Sequence, residues 1–439
     1  MRRLDRRAGP YRKIIAFCCT AAFLAACGGG AFQRQGSAPT SLAEVAAVRL
    51  NFRYEADVPG PSEAAKPPEE RNAAVQSDFD QARPQEILDR TLPSPDKKRV
   101  LAIYHRATDV QAEFRLDMYT SDGKLLHKIT PDTMAVHFPD TIVWAPDSSA
   151  VAFVGMVRAS SGDAETAAPG PAAATPSPIA DANISVGANA QETPPGEANV
   201  APPASPTPES PTGVLTFRTE QIYVCDAEGE GTKPVTQNEG LIYFYYYWSP
   251  DSTMLAALAA TAREWQYLSY QADTKGEVFT PIGRPRIVEK NGRERRLDDA
   301  LTAVFPVWSP DSSKVADAFE TQVRIYDAKG NNPTQAAIPL RNQLLISSQA
   351  YDREQQQKLQ ATNGESPPEQ APANQPNMLP DEKSLVSFNP ITDLEWTSPD
   401  ILYFRTAFIR RMKNEADSVQ SFARWHRLVF SLQPAASNQ

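Results

Sequence analysis

Cysteine and histidine are the scarcest reactive residues in this chain of 439, at four each. Cys18 and Cys19 fall in an apolar stretch near the N-terminus and Cys27 closes it, so Cys225 alone belongs to the body of the sequence. One thiol makes no intramolecular disulfide and supplies no multi-cysteine zinc site. Cys225 ends the apolar run IYVC and reads as a small buried hydrophobe, the alternative being a reactive thiol. His105, His127, His137 and His426 form no HExxH or other close ligand pair. A GxSxG elbow, a P-loop and a dinucleotide fingerprint are absent too, so the expectation is a non-enzyme with no catalytic, cofactor-binding or metal-ligating residue.

Positive charge is in deficit, and much of it is misplaced. Arg2, Arg3, Arg6, Arg7, Arg12 and Lys13 crowd ahead of the apolar residues 14–26, which end in Leu24-Ala25-Ala26-Cys27 and three glycines. A basic region, a short apolar region and small residues before a cleavage point make a signal peptide. The run is shorter than the ~20 residues a bilayer span needs. LAAC also resembles the bacterial lipobox, which implies that Cys27 is lipidated and begins the mature chain; an ordinary signal peptide with a chance cysteine is the alternative. Several acyl chains would anchor the protein stably in the membrane. Loss of residues 1–26 leaves 38 Lys+Arg against 52 Asp+Glu, a formal charge of −14. Such a chain is repelled by phosphate backbones, which argues against nucleic acid as a partner. The expected place is the bacterial envelope, facing the periplasm or the cell exterior, with residues 27–85 as an Ala/Pro/Glu-rich tether holding at most a strand at 47–55.

What is abundant is a repeat. WSPDS occurs at 248–252 and 308–312, WAPDS at 144–148, and weaker copies at LPSPDK (92–97) and WTSPD (396–400), the last with an extra residue before its proline. Ser-Pro-Asp suits a type I turn: Ser accepts at i, Pro fixes φ at i+1 and Asp fits i+2. The recurring residues are Trp144, Pro146, Asp147, Trp248, Pro250, Asp251, Trp308, Pro310, Asp311, Trp396, Pro399 and Asp400. A short apolar run follows each copy, and in four units a second turn signal appears: SDG at 121–123, DAEG at 226–229, DTKG at 273–276 and DAKG at 327–330. Two hairpins per unit make four antiparallel strands, which is one propeller blade. Repetition also argues that the motif aspartates are structural rather than catalytic.

Trp-Ser-Pro-Asp with a following strand and Ile-Tyr-x-x-Asp-x-x-Gly resembles the TolB-like, WD-repeat-like propellers of the bacterial envelope, over residues 86–432 apart from two insertions. The resemblance implies an all-β propeller of five blades, with a sixth blade or a strand from 47–55 completing the ring as the alternatives. One departure stands out. The family's glycine after the aspartate is replaced by Lys97, Ser148, Ser252 and Ser312, which costs roughly 1 kcal/mol if the residue is left-handed.

The insertions cover 158–212 and 341–385. The first holds eleven prolines and six acidic residues and reads as disordered; the second is read as a disordered insertion too, beginning with a helix-like LLISSQAYDREQQQKLQ and continuing into a Pro/Gln/Asn-rich stretch. Strand alternation puts both on the face opposite the short Ser-Pro-Asp turns. The hairpin RIVEKNGRERR (286–296) reads as a blade-to-blade link on that long-loop face, making Arg284, Arg286, Lys290, Arg293, Arg295 and Arg296 candidate partner-binding residues. The expected function is a lipid-anchored scaffold that binds an envelope protein there. The alternative is a propeller enzyme or carbohydrate-binding module using the central channel. Clustered carboxylates or histidines in the channel would favour an enzyme, and a mixed apolar and hydroxyl lining a scaffold. The aromatic run YFYYYW (243–248) aligns with apolar inner strands, so it reads as core, with hydroxyls of Tyr243, Tyr245 or Tyr247 reaching the channel.

Overall fold

The computed structural model describes residues 41–62, 71–109, 113–157, 220–363 and 379–431. The residues read as a signal peptide, Cys27, the first insertion and the Pro/Gln-rich stretch lie outside them. In chain order, β1 (Asn51–Glu55) and α1 (Ala73–Ala82) precede blade 1, made of β2 (Glu86–Pro93), β3 (Arg99–Arg106), β4 (Arg115–Thr120) and β5 (Leu125–Lys128). Blade 2 has a first strand in two pieces, β6 (Met134–His137) and β7 (Val143–Trp144), followed by β8 (Ala150–Val157), β9 (Gln221–Asp226) and β10 (Lys233–Pro234). In blade 3, β11 (Leu241–Trp248) and β12 (Met254–Thr261) are separated by α2 (Ala262–Lys275) from β13 (Arg284–Glu289) and β14 (Glu294–Arg296). Blade 4 comprises β15 (Val307–Trp308), β16 (Lys314–Phe319), β17 (Gln322–Asp327) and β18 (Gln335–Pro339). After α3 (Arg341–Asn363), blade 5 is built from β19 (Ile391–Ser398), β20 (Ile401–Arg410) and β21 (Val419–Ser431). Its outer strand is β1, paired antiparallel from Asn51 opposite Ser431 to Glu55 opposite Arg427. The fold is an all-β propeller of antiparallel four-stranded blades.

Alternation along the second strand of each blade explains the packing, because successive side chains point to opposite faces. In β8, Val151 and Phe153 join Leu101 and Ile103 of blade 1, while Ala152 and Val154 join Leu255 and Ala257 of blade 3. In β12, Met254 and Ala256 meet Trp308 and Val315 of blade 4, whose Ala316 and Ala318 meet Leu402 and Phe404 of blade 5. Apart from the buried Lys314 and Asp317 of β16, these middle strands are apolar on both faces, as strands buried on both sides tend to be. The series has two ends. Val100, Ala102 and Tyr104 of blade 1 are covered by Val75 and Phe79 of α1, and the far face of blade 5 presents half-buried Tyr403 and Arg405.

The Ser-Pro-Asp turns form as expected, with the fourth-residue N–H donating to the first-residue carbonyl: Lys97 to Ser94, Ser148 to Ala145, Ser252 to Ser249, Ser312 to Ser309. The residue after each aspartate is left-handed, with φ between 57° and 62°. The serines there have a partner that lies in the neighbouring blade. Asp96 N–H donates to Ser148 Oγ, Asp147 N–H to Ser252 Oγ and Asp251 N–H to Ser312 Oγ, at 3.0–3.1 Å. A neutral hydrogen bond contributes about 1 kcal/mol, which offsets the left-handed cost. The tryptophans run a parallel series, Nε1–H donating to the preceding blade: Trp144 to Leu92 O, Trp248 to Val143 O, Trp308 to Tyr247 O. Both series stop at blade 5. Ile401 replaces the serine, a bulge takes up the extra residue between Trp396 and Ser398, and Trp396 Nε1 is buried without a partner. At that seam Ser41 donates to Asp311 instead, and Leu42, Val45, Ala47 and Leu50 are buried between blades 4 and 5.

Three expectations need correcting. Residues 41–62 and 71–85 are not tether: they pack the seam, supply β1 and form α1. DTKG is not the second turn of blade 3, because Gly276, at φ 68°, is the C-cap of α2. Consequently RIVEKNGRERR is no blade-to-blade link; it is the third and fourth strands of blade 3, and its Asn291-Gly292 turn sits with the short turns.

Candidate functional site

A cavity of about 1170 Å³ opens at the long-loop end between blades 3, 4 and 5. Its position follows from the inner strands, since Tyr245 of β11, Val307 of β15 and Leu394 of β19 line it. A register shift between Tyr243 and Tyr245 decides which aromatic faces where. The bulge puts Tyr243 in the same buried cluster as Tyr246 and Trp248, and turns Tyr245 toward blade 4. There Tyr245 stacks on Phe305, ring centroids 3.9 Å apart and 1° from parallel, with Phe305 itself 52% exposed. The Tyr243 hydroxyl is spent inside its own blade, donating to Glu294 at 2.8 Å, and Tyr246 accepts from Thr141. The aromatic run is therefore core, with Tyr245 alone of these lining the cavity and Tyr247 left half exposed.

The rest of the lining is mixed. Apolar Val304, Ile391 and Ile409 alternate with hydroxyls of Thr280, Thr302 and Thr392. Arginines at 324, 341, 405 and 411 outnumber Glu320 and Asp393, and Asp393 is held by Arg405 Nε at 2.8 Å. No described histidine lines it. Behind the Tyr245 wall, Asp317 is fully buried: Oδ1 accepts from Ala318 N–H and Oδ2 has no partner. Burial pushes its carboxyl well above the usual range.

An arch spans the mouth. α2 begins with a capping box between Thr261 and Glu264, and Trp265 pins it against Phe244, Phe138 and Phe279. Past its C-cap the chain bridges to the β20–β21 hairpin of blade 5, with Val278 N–H donating to Arg411 O and Lys413 N–H to Gly276 O, both 2.9 Å. Lys413 pairs with Asp273 at 2.8 Å. This joins blade 3 to blade 5 over the head of blade 4. The arch and its surroundings carry large apolar groups in solvent: Tyr267 is 60% exposed, Tyr270 72%, and Val278, Phe408, Ile409 and Phe422 are also exposed.

The basic hairpin lies elsewhere and is largely spoken for. Arg284 makes a bidentate pair with Glu264, whose carboxyl is lowered to about 2 by that contact first and the capping hydrogen bonds next. Arg286 pairs with Glu294 at 2.6 Å and Arg296 with Asp299 at 2.8 Å. Lys290, Arg293 and Arg295 instead line a trough of about 580 Å³ on the short-turn face. Among the histidines, His105 contacts Asp89 and His137 contacts Glu220, each at 2.8 Å, and His426 is buried between Tyr54 and Phe404. No group of three or more His, Cys, Asp or Glu among the described residues could hold a metal ion. Cys225 is buried, and burial pushes its thiol to about 12.

No family model matches the chain. No curated sequence matches it either. Among solved structures it is similar to oligogalacturonate lyase from Vibrio parahaemolyticus, at 11% identity and TM-score 0.33, over 79% of this chain and 66% of that one. It is also similar to prolyl oligopeptidase B from Galerina marginata, at 11% identity and TM-score 0.36, over 88% of this chain and 43% of that one. The chain thus spans less than two thirds of the length of either.

Proposed function

We propose that this chain is a TolB-like propeller of the bacterial envelope, anchored by lipid at Cys27, which binds another envelope protein through its long-loop face. The observation that carries the reading is the lopsided exposure of large apolar side chains. Tyr267, Tyr270, Val278, Phe305, Ile409 and Phe422 all lie at the long-loop end, around the cavity and on the arch above it. Exposed large apolar side chains gathered at one end favour protein interaction, and tyrosine is favoured at the centres of such sites. The cavity lining mixes apolar groups, hydroxyls and arginines with only Glu320 and Asp393 as acids, which supports binding. A sugar site would draw on the Tyr245–Phe305 stack, but it would leave the tyrosines of α2 outside the cavity unused. The test is cross-linking in intact envelopes followed by pull-down. Tyr267→Asp combined with Tyr270→Asp should lower partner recovery about tenfold or more, whereas Lys98→Gln on the opposite face should leave it unchanged. Equal recovery with the tyrosine variant would refute the reading.

A further inference from the structure

The trough on the short-turn face differs from every other charged cluster described above in how its charges are balanced. Its acids are satisfied within the fold. Asp251 accepts from Ser249 Oγ, Thr253 N–H and Lys329 Nζ, the last at 2.8 Å, and Asp147 accepts from Ser149 N–H. Glu289 accepts from Asn291 Nδ2 and lies 3.7 Å from Arg293. Two of its cations have no acid at all within ion-pair distance among the described residues. Lys290 donates only to Ser149 Oγ, at 3.3 Å, and sits 5.0 Å over the Trp248 ring. Arg295 is fixed by Nη2 bonds to the carbonyls of Asp327 and Ala328, at 3.2 and 2.9 Å, while its Nε is buried with no partner. Burial, and then the neighbouring Arg293 charge, hold the Arg295 guanidinium below its ordinary range. Glu289 and Asp327 are its nearest opposite charges, neither within ion-pair distance, and a partly desolvated cation without a paired acid is costly, which a bound oxyanion would relieve.

We infer that this trough is a binding site for a phosphate group, mono- or diester, held by Lys290, Arg293 and Arg295. Phosphate fits because its oxygens point in several directions and can meet donors from different walls of one cavity, and a monoester carries more charge than a single carboxylate. The chain's overall negative field opposes long polyanions, yet a single phosphate feels mainly the nearest charges within a Debye length of ~8 Å. A source is close at hand if Cys27 is anchored. Ser41 docks on Asp311 at this same face, and the fourteen residues from Cys27 to Ser41 reach at most about 50 Å when fully extended. Lipid headgroups are therefore within reach of the face that carries the trough, as are soluble phosphates.

The full chain in neutral detergent provides the test, read by tryptophan fluorescence because Lys290 lies over Trp248. It is titrated separately with inorganic phosphate, with micelles containing phosphatidylglycerol and with micelles containing phosphatidylcholine. A saturable change is expected, lost in Trp248→Phe and weakened about tenfold by either Lys290→Gln or Arg295→Gln, with far-ultraviolet circular dichroism unchanged. Saturation by inorganic phosphate supports the site and identifies free phosphate as sufficient. Saturation by phosphatidylglycerol alone supports it and identifies the lipid headgroup. No saturation, or equal affinity in wild type and Lys290→Gln, overturns the inference.

Discussion

Four residues in equivalent turns share a left-handed backbone, but only three have a reason to be there. Ser148, Ser252 and Ser312 each accept the preceding blade's aspartate N–H, whereas Lys97 opens the series and has no blade before it to receive. Glycine removes the left-handed cost in both settings, but in the serine turns it also removes the interblade bond. Lys97→Gly should therefore stabilise the protein by about 1 kcal/mol, while Ser252→Gly should be near neutral and Ser252→Ala should destabilise by about 1–2 kcal/mol. Urea denaturation of the three variants checks the order. The sequence displays the cost of these serines, since any non-glycine after the aspartate invites it. It does not display the compensation, because the donor lies 52 to 105 residues away in the chain. Cys225 was easier to read: an apolar run settles burial without any non-local information.

At the scale of elements, the repeat made the blades legible and the same repeat misled at α2. Asp-x-x-Gly serves a hairpin turn and a helix C-cap alike, and the spacing from Asp251 to Gly276 nearly matches that from Asp96 to Gly123. The signal that separates them is Thr261-x-x-Glu264, a capping box ahead of a fourteen-residue stretch ending at that glycine. Because the helix absorbed one turn signal, the basic hairpin was displaced in the reading from the short-turn face to the other. β1 was legible as a strand and, as one of two alternatives, as the strand that completes the last blade; the contact it makes with His426 was not. That ring is buried, stacks on Tyr54 of β1 and accepts or donates with the Tyr54 hydroxyl at 3.0 Å and Thr406 at 3.2 Å. Burial first, and the Arg424 charge second, lower its pKa from 6.5 to about 4. The unfolded chain binds this proton below pH 6.5, whereas the folded chain takes it up only near pH 4. Stability should thus be insensitive to this group above pH 6.5 and fall through the window below it, by ~3 kcal/mol in all. Denaturation curves at pH 7 and pH 4.5 should show a smaller loss for His426→Gln than for the wild type.

The whole molecule has two unlike ends. One bears stereotyped turns, a basic trough and the point where the N-terminal segment enters; the other bears the cavity, the arch and the exposed tyrosines. An anchored chain would use both, one towards its membrane and one towards its partner. The anchor itself is testable in isolation: detergent phase partitioning of cells expressing the full chain should place the wild type in the detergent phase and Cys27→Ser predominantly in the aqueous phase. Wild type in the aqueous phase would remove the lipid while leaving the propeller untouched.

The pairing of β1 with β21 also has a consequence in time. Asn51 lies opposite Ser431, so the strand that enters blade 5 is synthesised before any of blades 1 to 4. Blades 1 to 4 can each close on neighbours made just before or after them, but blade 5 must recruit a strand left waiting through almost the entire chain. Closing so long a loop is slow rather than weak. Until it happens, the edge of β21 stands open to any strand that matches it, including the β1 of another copy. The step that finishes this propeller is the one at which crowded, half-made chains are most able to mistake each other for themselves.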